Sequence, residues 1–483
     1  MPDPSGAAGK LTPKSTPKKP KSPWDHWTAA QNRAIDAAVG AADPREVTKA
    51  FIRIMPNFSG AEWLKSSHRL WDGTGGSGKA PHNKSTTASI AEYSAAAVPL
   101  HVADAWSYLG RAMSAISVGS ADVARHLLYY CELRAMYALL ARHGIVLMNR
   151  SNFVITAAGT TGIPIPDAGV AGNEHQAVWV LFRHWVSSGG AARFLEGTIR
   201  QRGEELDRWV AERPIPATLD SVLVDSLKQW GMDVARFSHD RELRNEASYR
   251  PTRLRMTPSA VTPEYVTDLY TDVWDLLDPE PSNPFENLDR AIMRGMFATL
   301  AARDRGSRVA RLPSQYRNQY EYWVDKVVGL EGAQSLADYF ATPTVPRIIA
   351  DAGRDPATVG PADELSGMLG RTLILLRFAT GASRQLLSEA GCTAADVEFW
   401  LTDLLTTHGI RPPDGSPPDY QDLHASVAEV VADIGILSGE TEPVDLALIT
   451  EELAEQFQIL SSFERVPAWA AAPPAPRGRE AVA

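Results

Sequence analysis

The sequence predicts an all-α protein, on three observations. Apolar residues recur at helical spacing through most of the chain, cap residues stand at the ends of those stretches, and proline interrupts the pattern at only a few segments. The expected architecture is a helical bundle carrying one small hairpin, followed by a second helical domain. No repeat of fixed period occurs, so a solenoid is not expected.

Residues 1–22 hold Lys10, Lys14, Lys18, Lys19 and Lys21 against one acid, Asp3, among prolines and serines. Such a segment builds no core and is expected to be a disordered basic tail. Residues 23–278 form the first domain. Its clearest element is a helix over about 121–143: Ser120 and Asp122 start it, Val123, Leu127, Tyr130, Ala135 and Leu139 recur along it, and Gly144 stops it. Leu128, Leu133 and Met136 place apolar side chains on further faces, so this helix belongs at the centre of the bundle. His101 to Ser117 reads as its antiparallel partner, joined through Val118 and Gly119.

Ile145 to Leu147 and Phe153 to Thr156 are short β-branched runs around the polar Asn149–Asn152 segment, which suits a hairpin. A loop is expected over Gly159–Gly172, with Pro164 and Pro166. Helical patterns then return at about 174–187, 191–212, 219–249 and 263–278. Residues 279–285, within Asp278-Pro-Glu-Pro-Ser-Asn-Pro284, carry prolines that break any helix and mark a linker. Beyond it, a C-terminal helical domain over 286–466 has helices expected near 286–303, 314–329, 361–379, 393–407, 418–436 and 444–463. Arg411–Pro418 is a Pro-rich hinge, and the Ala/Pro-rich end, 467–483, is expected to be disordered.

Composition excludes several classes. A formal net charge of −10 argues against wholesale wrapping of nucleic acid and leaves room for a local basic patch. The two cysteines, Cys131 and Cys392, lie far apart in apolar contexts, so free buried thiols in a reducing compartment are expected rather than a disulfide. No Cys/His metal spacing occurs; neither metal nor cofactor is expected. Met1 to Pro23 lacks an apolar core of the signal-peptide kind, and the apolar run at Leu373–Ala379 is broken by Arg371 and Arg377. A cytoplasmic protein with no membrane span is the expectation.

Three motifs invite a function. Gly73-Thr-Gly-Gly-Ser-Gly78-Lys79-Ala80 has the outline of a phosphate-binding loop, yet no strand-like run precedes it and Ala80 stands where a Mg²⁺-binding hydroxyl belongs, so a glycine loop is expected. Asp268, Asp272, Asp275 and Asp278 recur at helical spacing opposite Tyr265, Leu269, Val273 and Leu276, the pattern of a solvated amphipathic face. The densest constellation runs from Arg236 to Arg255, with six arginines against three acids. Asp240 and Arg244, Arg241 and Asn245, and Asn245 and Tyr249 are each four apart, so on a helix they form two adjoining ridges. With Arg250, these groups have the chemistry to grip a phosphate and stack a base. The structural alternative is a polar network in which Asp240 pairs Arg244 and Tyr249 caps the helix end. A second Arg-Asn-x-x-x-Tyr at Arg317, Asn318 and Tyr322 shows that so short a pattern recurs without special meaning.

Ala105-Trp106-Ser107-Tyr108-Leu109, Tyr129-Tyr130-Cys131-Glu132-Leu133-Arg134-Ala135 and Asp240-Arg241-Glu242-Leu243-Arg244-Asn245-x-x-x-Tyr249 together resemble the YaaC-like and HEPN-like helical proteins of bacteria, over about residues 95–280. The resemblance implies a HEPN-like bundle before the linker, and an activity as a metal-independent ribonuclease of toxin–antitoxin or antiphage systems, often dimeric. Its catalytic motif is Arg-x4–6-His. None of the eleven histidines follows an arginine at that spacing, so the catalytic carry-over fails. A histidine brought from elsewhere would have to be His126, His143 or His239, with Arg244 stabilising the transition state.

The resulting expectation is a non-catalytic binding or scaffolding subunit of a bacterial defence or other nucleic-acid-linked assembly. Arg236, Asp240, Arg241, Arg244, Asn245, Tyr249 and Arg250 would meet RNA, DNA or a protein partner subunit, with a homodimer as one form. The alternative is a ribonuclease using Arg244, Asn245 and Tyr249.

Overall fold

In a computed structural model, the residues described are 27–55, 87–148, 151–212, 219–249, 262–278, 283–304, 317–329, 333–341, 345–355, 358–393, 396, 420–440 and 451–470. The expected basic tail at 1–22, residues 471–483 of the tail expected over 467–483, the glycine loop at 73–80, most of the helix expected at 393–407 and the hinge at 411–418 lie outside them; residues 467–470, expected to be disordered, instead complete a short helix, Val466–Ala470.

The described residues are mostly helical. Helix α1 (Ala29–Gly40) opens on a capping box, in which the Thr28 hydroxyl accepts from the Gln31 amide and the Gln31 side chain accepts from the Thr28 amide. Helix α2 (Pro44–Ile54) follows, with Asp43 as N-cap and Pro44 in the first turn. The centre of the molecule is a pair of long helices, α3 (Thr87–Ser117) and α4 (Ala121–Arg142). Only Val118 to Ser120 separate them, so the chain doubles back on itself. Helix α4 matches its expected span. Its buried residues, among them Leu128, Leu133, Met136 and Leu139, lie on several faces, as a central helix requires.

Three antiparallel strands follow: β1 (Ile145–Met148), β2 (Ser151–Thr156) and β3 (Gly159–Gly162), in the order β1-β2-β3. The expected hairpin is present and gains a third strand where a loop was expected. Thr160 and Thr161 pair with Ile155 and Val154, and the edge strand Gly159-Thr-Thr-Gly162 carries no apolar alternation to announce it.

Next come α5 (Ala168–Ala171), α6 (Glu174–Ser187) and α7 (Gly190–Thr198), the two-residue strands β4 (Arg200–Gln201) and β5 (Glu204–Glu205), and α8 (Leu206–Ala211). The helix expected over 191–212 is thus interrupted. Arg202 at φ 55° and Gly203 at φ 79° turn the chain left-handedly, and the Glu286 carboxylate receives the Arg202 amide at 2.6 Å. The expected 219–249 helix divides as well, into α9 (Leu219–Gln229) and α10 (Val234–Tyr249). Gly231 adopts φ 68° at the break, and a Cβ there would lie 2.3 Å from the Ala352 carbonyl, so both the turn and the close packing require glycine.

The remaining described helices are α11 (Pro263–Leu276), α12 (Glu286–Asp304), α13 (Arg317–Val328), α14 (Ala333–Ala341), α15 (Arg347–Ala352), α16 (Pro361–Glu389), α17 (Tyr420–Glu440), α18 (Ala454–Leu460) and α19 (Val466–Ala470). Helix α16 runs 29 residues, well past the expected stop at 379. It lies against α3 and α4, and one hydrophobic cluster joins Leu128 and Leu133 of α4 to Leu369, Leu373 and Leu376 of α16. Residues on both sides of 279–285 share that cluster. Among the described residues no helix is long and apolar enough to cross a membrane.

On α11, Asp268 and Asp275, with Asp278 just past its end, face solvent and Tyr265, Leu269, Val273 and Leu276 are buried, as the spacing predicts; Asp272, expected on the same solvated face, is half-buried, and burial pushes its carboxyl up to about 6.

Candidate functional site

Helix α10 carries the polar stretch singled out in the sequence and packs on α4 and α6. The four-residue spacing of Arg236, Asp240 and Arg244 does form a ridge, and that ridge faces inward: all three are buried. Arg236 donates from Nη1 to the Arg354 carbonyl at 2.8 Å. Asp240 pairs with Arg371 of α16, whose Nη2 lies 2.5 Å from its Oδ2. The expected Asp240–Arg244 pair is thereby corrected, because Arg371 reaches the carboxylate from the core side and Arg244 turns toward α4. Arg371 Nε also lies 3.4 Å from Glu132 Oε1, an ion pair short of a hydrogen bond. Burial pushes the Glu132 carboxyl up, against the pull of Arg371.

The other ridge of α10 faces out. Arg241 and Asn245 are half-buried and Tyr249 is 75% exposed, so Tyr249 does not close the helix end as a buried cap. Arg250 lies outside the described residues.

Arg244 connects α10 to a cleft. Its guanidinium carbon stands 5.1 Å from the Tyr129 ring centroid and 5.4 Å from that of Tyr130, a cation held on two aromatic faces. Tyr129 is fully buried. Tyr130 forms part of the wall of a cavity of about 560 Å³, within the range of small-molecule sites. Helix α3 supplies Tyr93, His101 and Asp104; α4 supplies Tyr130, Arg134 and Tyr137; the start of α6 supplies Glu174 and His175. Leu133, Ile145 and Leu147 add an apolar lining.

The polar groups of the cleft hold one another in place. Arg134 donates from Nη1 to His101 Nδ1 at 3.2 Å, which assigns the His101 proton to Nε2, and Arg134 Nε stands 3.7 Å from Asp104. The Tyr137 hydroxyl donates to Glu174 Oε2 at 3.3 Å. The Tyr129 hydroxyl and His175 Nδ1 share a hydrogen bond of 3.0 Å. Burial, aided by Arg244, Arg241 and Arg134, brings the His175 pKa down to about 4, so its imidazole is neutral at pH 7. Burial raises the carboxyls of Glu174 and Asp104 and the Tyr137 phenol. At neutral pH the site therefore presents a guanidinium, the uncharged His175 imidazole, phenols and carboxyl oxygens around aromatic walls. Among the described residues no group of three or more His, Cys, Asp or Glu side chains is arranged to hold a metal ion.

The three histidines weighed in the sequence fall in different places. His126 lies at the rim, sharing a 2.8 Å hydrogen bond with Ser248 of α10 and packing on Tyr130. His143 is a core residue: its Nδ1–H donates to the Leu139 carbonyl at 2.8 Å and its ring packs on Trp185 and Phe194. His239 pairs with Glu364 at 2.7 Å, away from the cleft lining. Sequence reasoning passed over His101 and His175. One signal was present: Tyr130, Arg134 and Tyr137, spaced four and three apart, form a single ridge of α4.

Comparison with known proteins leaves the site to be read on its own geometry: no family model, no curated protein and no solved structure matches this chain.

Proposed function

We propose that this chain is a binding or scaffolding subunit of a nucleic-acid-linked assembly, of the bacterial defence kind that the HEPN-like resemblance implies, and that it holds single-stranded RNA or DNA where α10 meets the cleft. The observation that carries this reading is the juxtaposition of an aromatic cleft with Arg244 and Arg241 at its α10 side. Arg244 acts from behind Tyr130, positioning the ring that forms the wall. Arg241, Asn245 and Tyr249, on the outward ridge of the same helix, are placed to meet the strand beyond the cleft. Unpaired bases stack on aromatic side chains while arginines follow the phosphates, without demand for a basic protein overall.

The test is to incubate the full chain with labelled single-stranded RNA and DNA at low and moderate salt, scoring retention and cleavage together. Retention that weakens with salt and on Arg241→Ala, without cleavage, is the expected result. Absence of retention by either strand overturns the reading and leaves a protein partner or a second copy of this chain as the ligand to seek.

A metal-independent ribonuclease is the second reading, favoured by one observation. Two histidines absent from the failed motif, His126 and His175, stand beside Arg244, and His175 is neutral and so available as a base. Cleavage that disappears in His175→Ala while retention persists would promote the enzyme over the binding subunit.

A further inference from the structure

We propose that the cleft between α3, α4 and α6 receives one unpaired nucleobase that carries both an exocyclic amine and a ring carbonyl, guanine or cytosine, and leaves the attached phosphates outside against α10. This rests on the strand-binding reading and names what enters the site.

Charge comes first. Among the described lining residues Arg134, His101 and His175 are the only nitrogen bases, against the carboxyls of Asp104 and Glu174. Arg134 is already engaged, with Nη1 on His101 and Nε near Asp104. Among the described lining residues a phosphate would therefore meet two carboxyls and one guanidinium already shared with His101 and Asp104, and its desolvation would be poorly compensated. Arg241, half-buried on α10 near His175 and Tyr129, lies outside the lining. Phosphate recognition belongs there.

Shape and hydrogen bonding then favour a flat heterocycle. Tyr93, Tyr130 and Tyr137 with the rings of His101 and His175 supply several aromatic faces, and Leu133, Ile145 and Leu147 supply apolar contact. The Tyr130 ring is braced by Tyr108 at 5.5 Å, by His126 at 5.1 Å and by Arg244, so it offers a preorganised surface. Glu174 has acceptor capacity beyond the one hydrogen bond it takes from Tyr137, and a carboxylate recognises the amino edge of cytosine or guanine rather than the carbonyl edge of uracil. Arg134 lines the same space, and its guanidinium N–H groups beyond the one given to His101 are donors for the carbonyl that guanine and cytosine carry and adenine lacks.

The experiment titrates the full chain with guanosine, cytidine, uridine, inorganic phosphate and spermidine, each alone and as competitor of the labelled strand. In parallel it compares a short oligonucleotide with its abasic counterpart. Guanosine or cytidine is expected to bind and compete at least tenfold better than uridine, phosphate not to compete at the cleft, and Glu174→Gln to erase the preference. Should Glu174→Gln lower the melting temperature, Tyr137→Phe, which keeps the ring and frees the carboxylate of its partner, is expected to change nucleoside affinity while Arg241→Ala leaves it unaltered. If the strand binds but its abasic form binds equally and no nucleoside competes, the base assignment is wrong and strand binding stands. If neither strand nor nucleoside binds, both are wrong. Tight spermidine binding in place of nucleoside makes the cleft an amine site and overturns the proposal.

Discussion

Helix α4 has two faces that use charge in opposite ways. On one, Glu132 is sealed in the core beside Arg371 and Asp240, with no exposed surface on Glu132 or Arg371. On the other, two residues further along, Arg134 lies in the wall of an open cleft among His101, Asp104 and Tyr137. The buried charges have one another as partners and tie α4 to α10 and α16. The cleft charges are held in place yet keep donors and acceptors turned toward a cavity. Charge in a helix is therefore no sign of function by itself; what separates the two faces is whether the charged groups close on each other or on a space.

The largest effect should come from breaking the sealed face. Arg371→Ala leaves Asp240 as a buried carboxylate without its 2.5 Å cation partner, beside the buried Glu132, at an expected cost of about 3–5 kcal/mol, to be read from denaturant unfolding. Arg134→Ala, on the open face, should cost far less stability in the same measurement.

Acid is the next lever. Burial lowers the His143 pKa from 6.5 to about 3, so the folded state keeps it neutral while the unfolded chain takes up a proton below pH 6.5. The unfolded state then binds more protons, and stability falls as pH drops. At pH 5 this one group accounts for a loss of about 2 kcal/mol relative to pH 7. Thermal melts from pH 7 to 5 should show a shallower slope for His143→Phe than for the native chain; equal slopes would place the proton elsewhere.

Smaller again is Arg244→Ala. Loss of its contact with two tyrosine rings should lower stability by about 1 kcal/mol, together with a clear loss of strand retention, since the Tyr130 wall loses its brace. The smallest effect on folding belongs to Tyr137→Phe, whose lost hydrogen bond to Glu174 should cost under about 1 kcal/mol, while nucleoside binding shifts measurably.

These contrasts also explain what the sequence let one read. The bounds of α4 and α6 are local properties, carried by the apolar periodicity and, at the end of α4, by Gly144 at φ 75°; the structure places them close to their expected spans although the Ser120 side chain makes no cap bond. The breaks at Arg202–Gly203 and Gly231 are not local: each depends on a distant partner, the Glu286 carboxylate in one case and the Ala352 carbonyl in the other. The same limit applied to the site. Spacing on α10 placed Asp240 and Arg244 on one ridge but could not say that it faces Arg371 and α4. His101, Tyr137 and His175 come from three helices, and only the packing of α3 and α6 on α4 brings them together.

The measurement that tests this account most directly is retention of a labelled single strand at low salt by the native chain, Arg241→Ala and His175→Ala, with the melting temperature of each recorded beside it. The account predicts that both variants melt close to the native chain and that each loses most of its retention. Native retention in both variants would contradict it, and would move the functional surface away from the cleft and from α10.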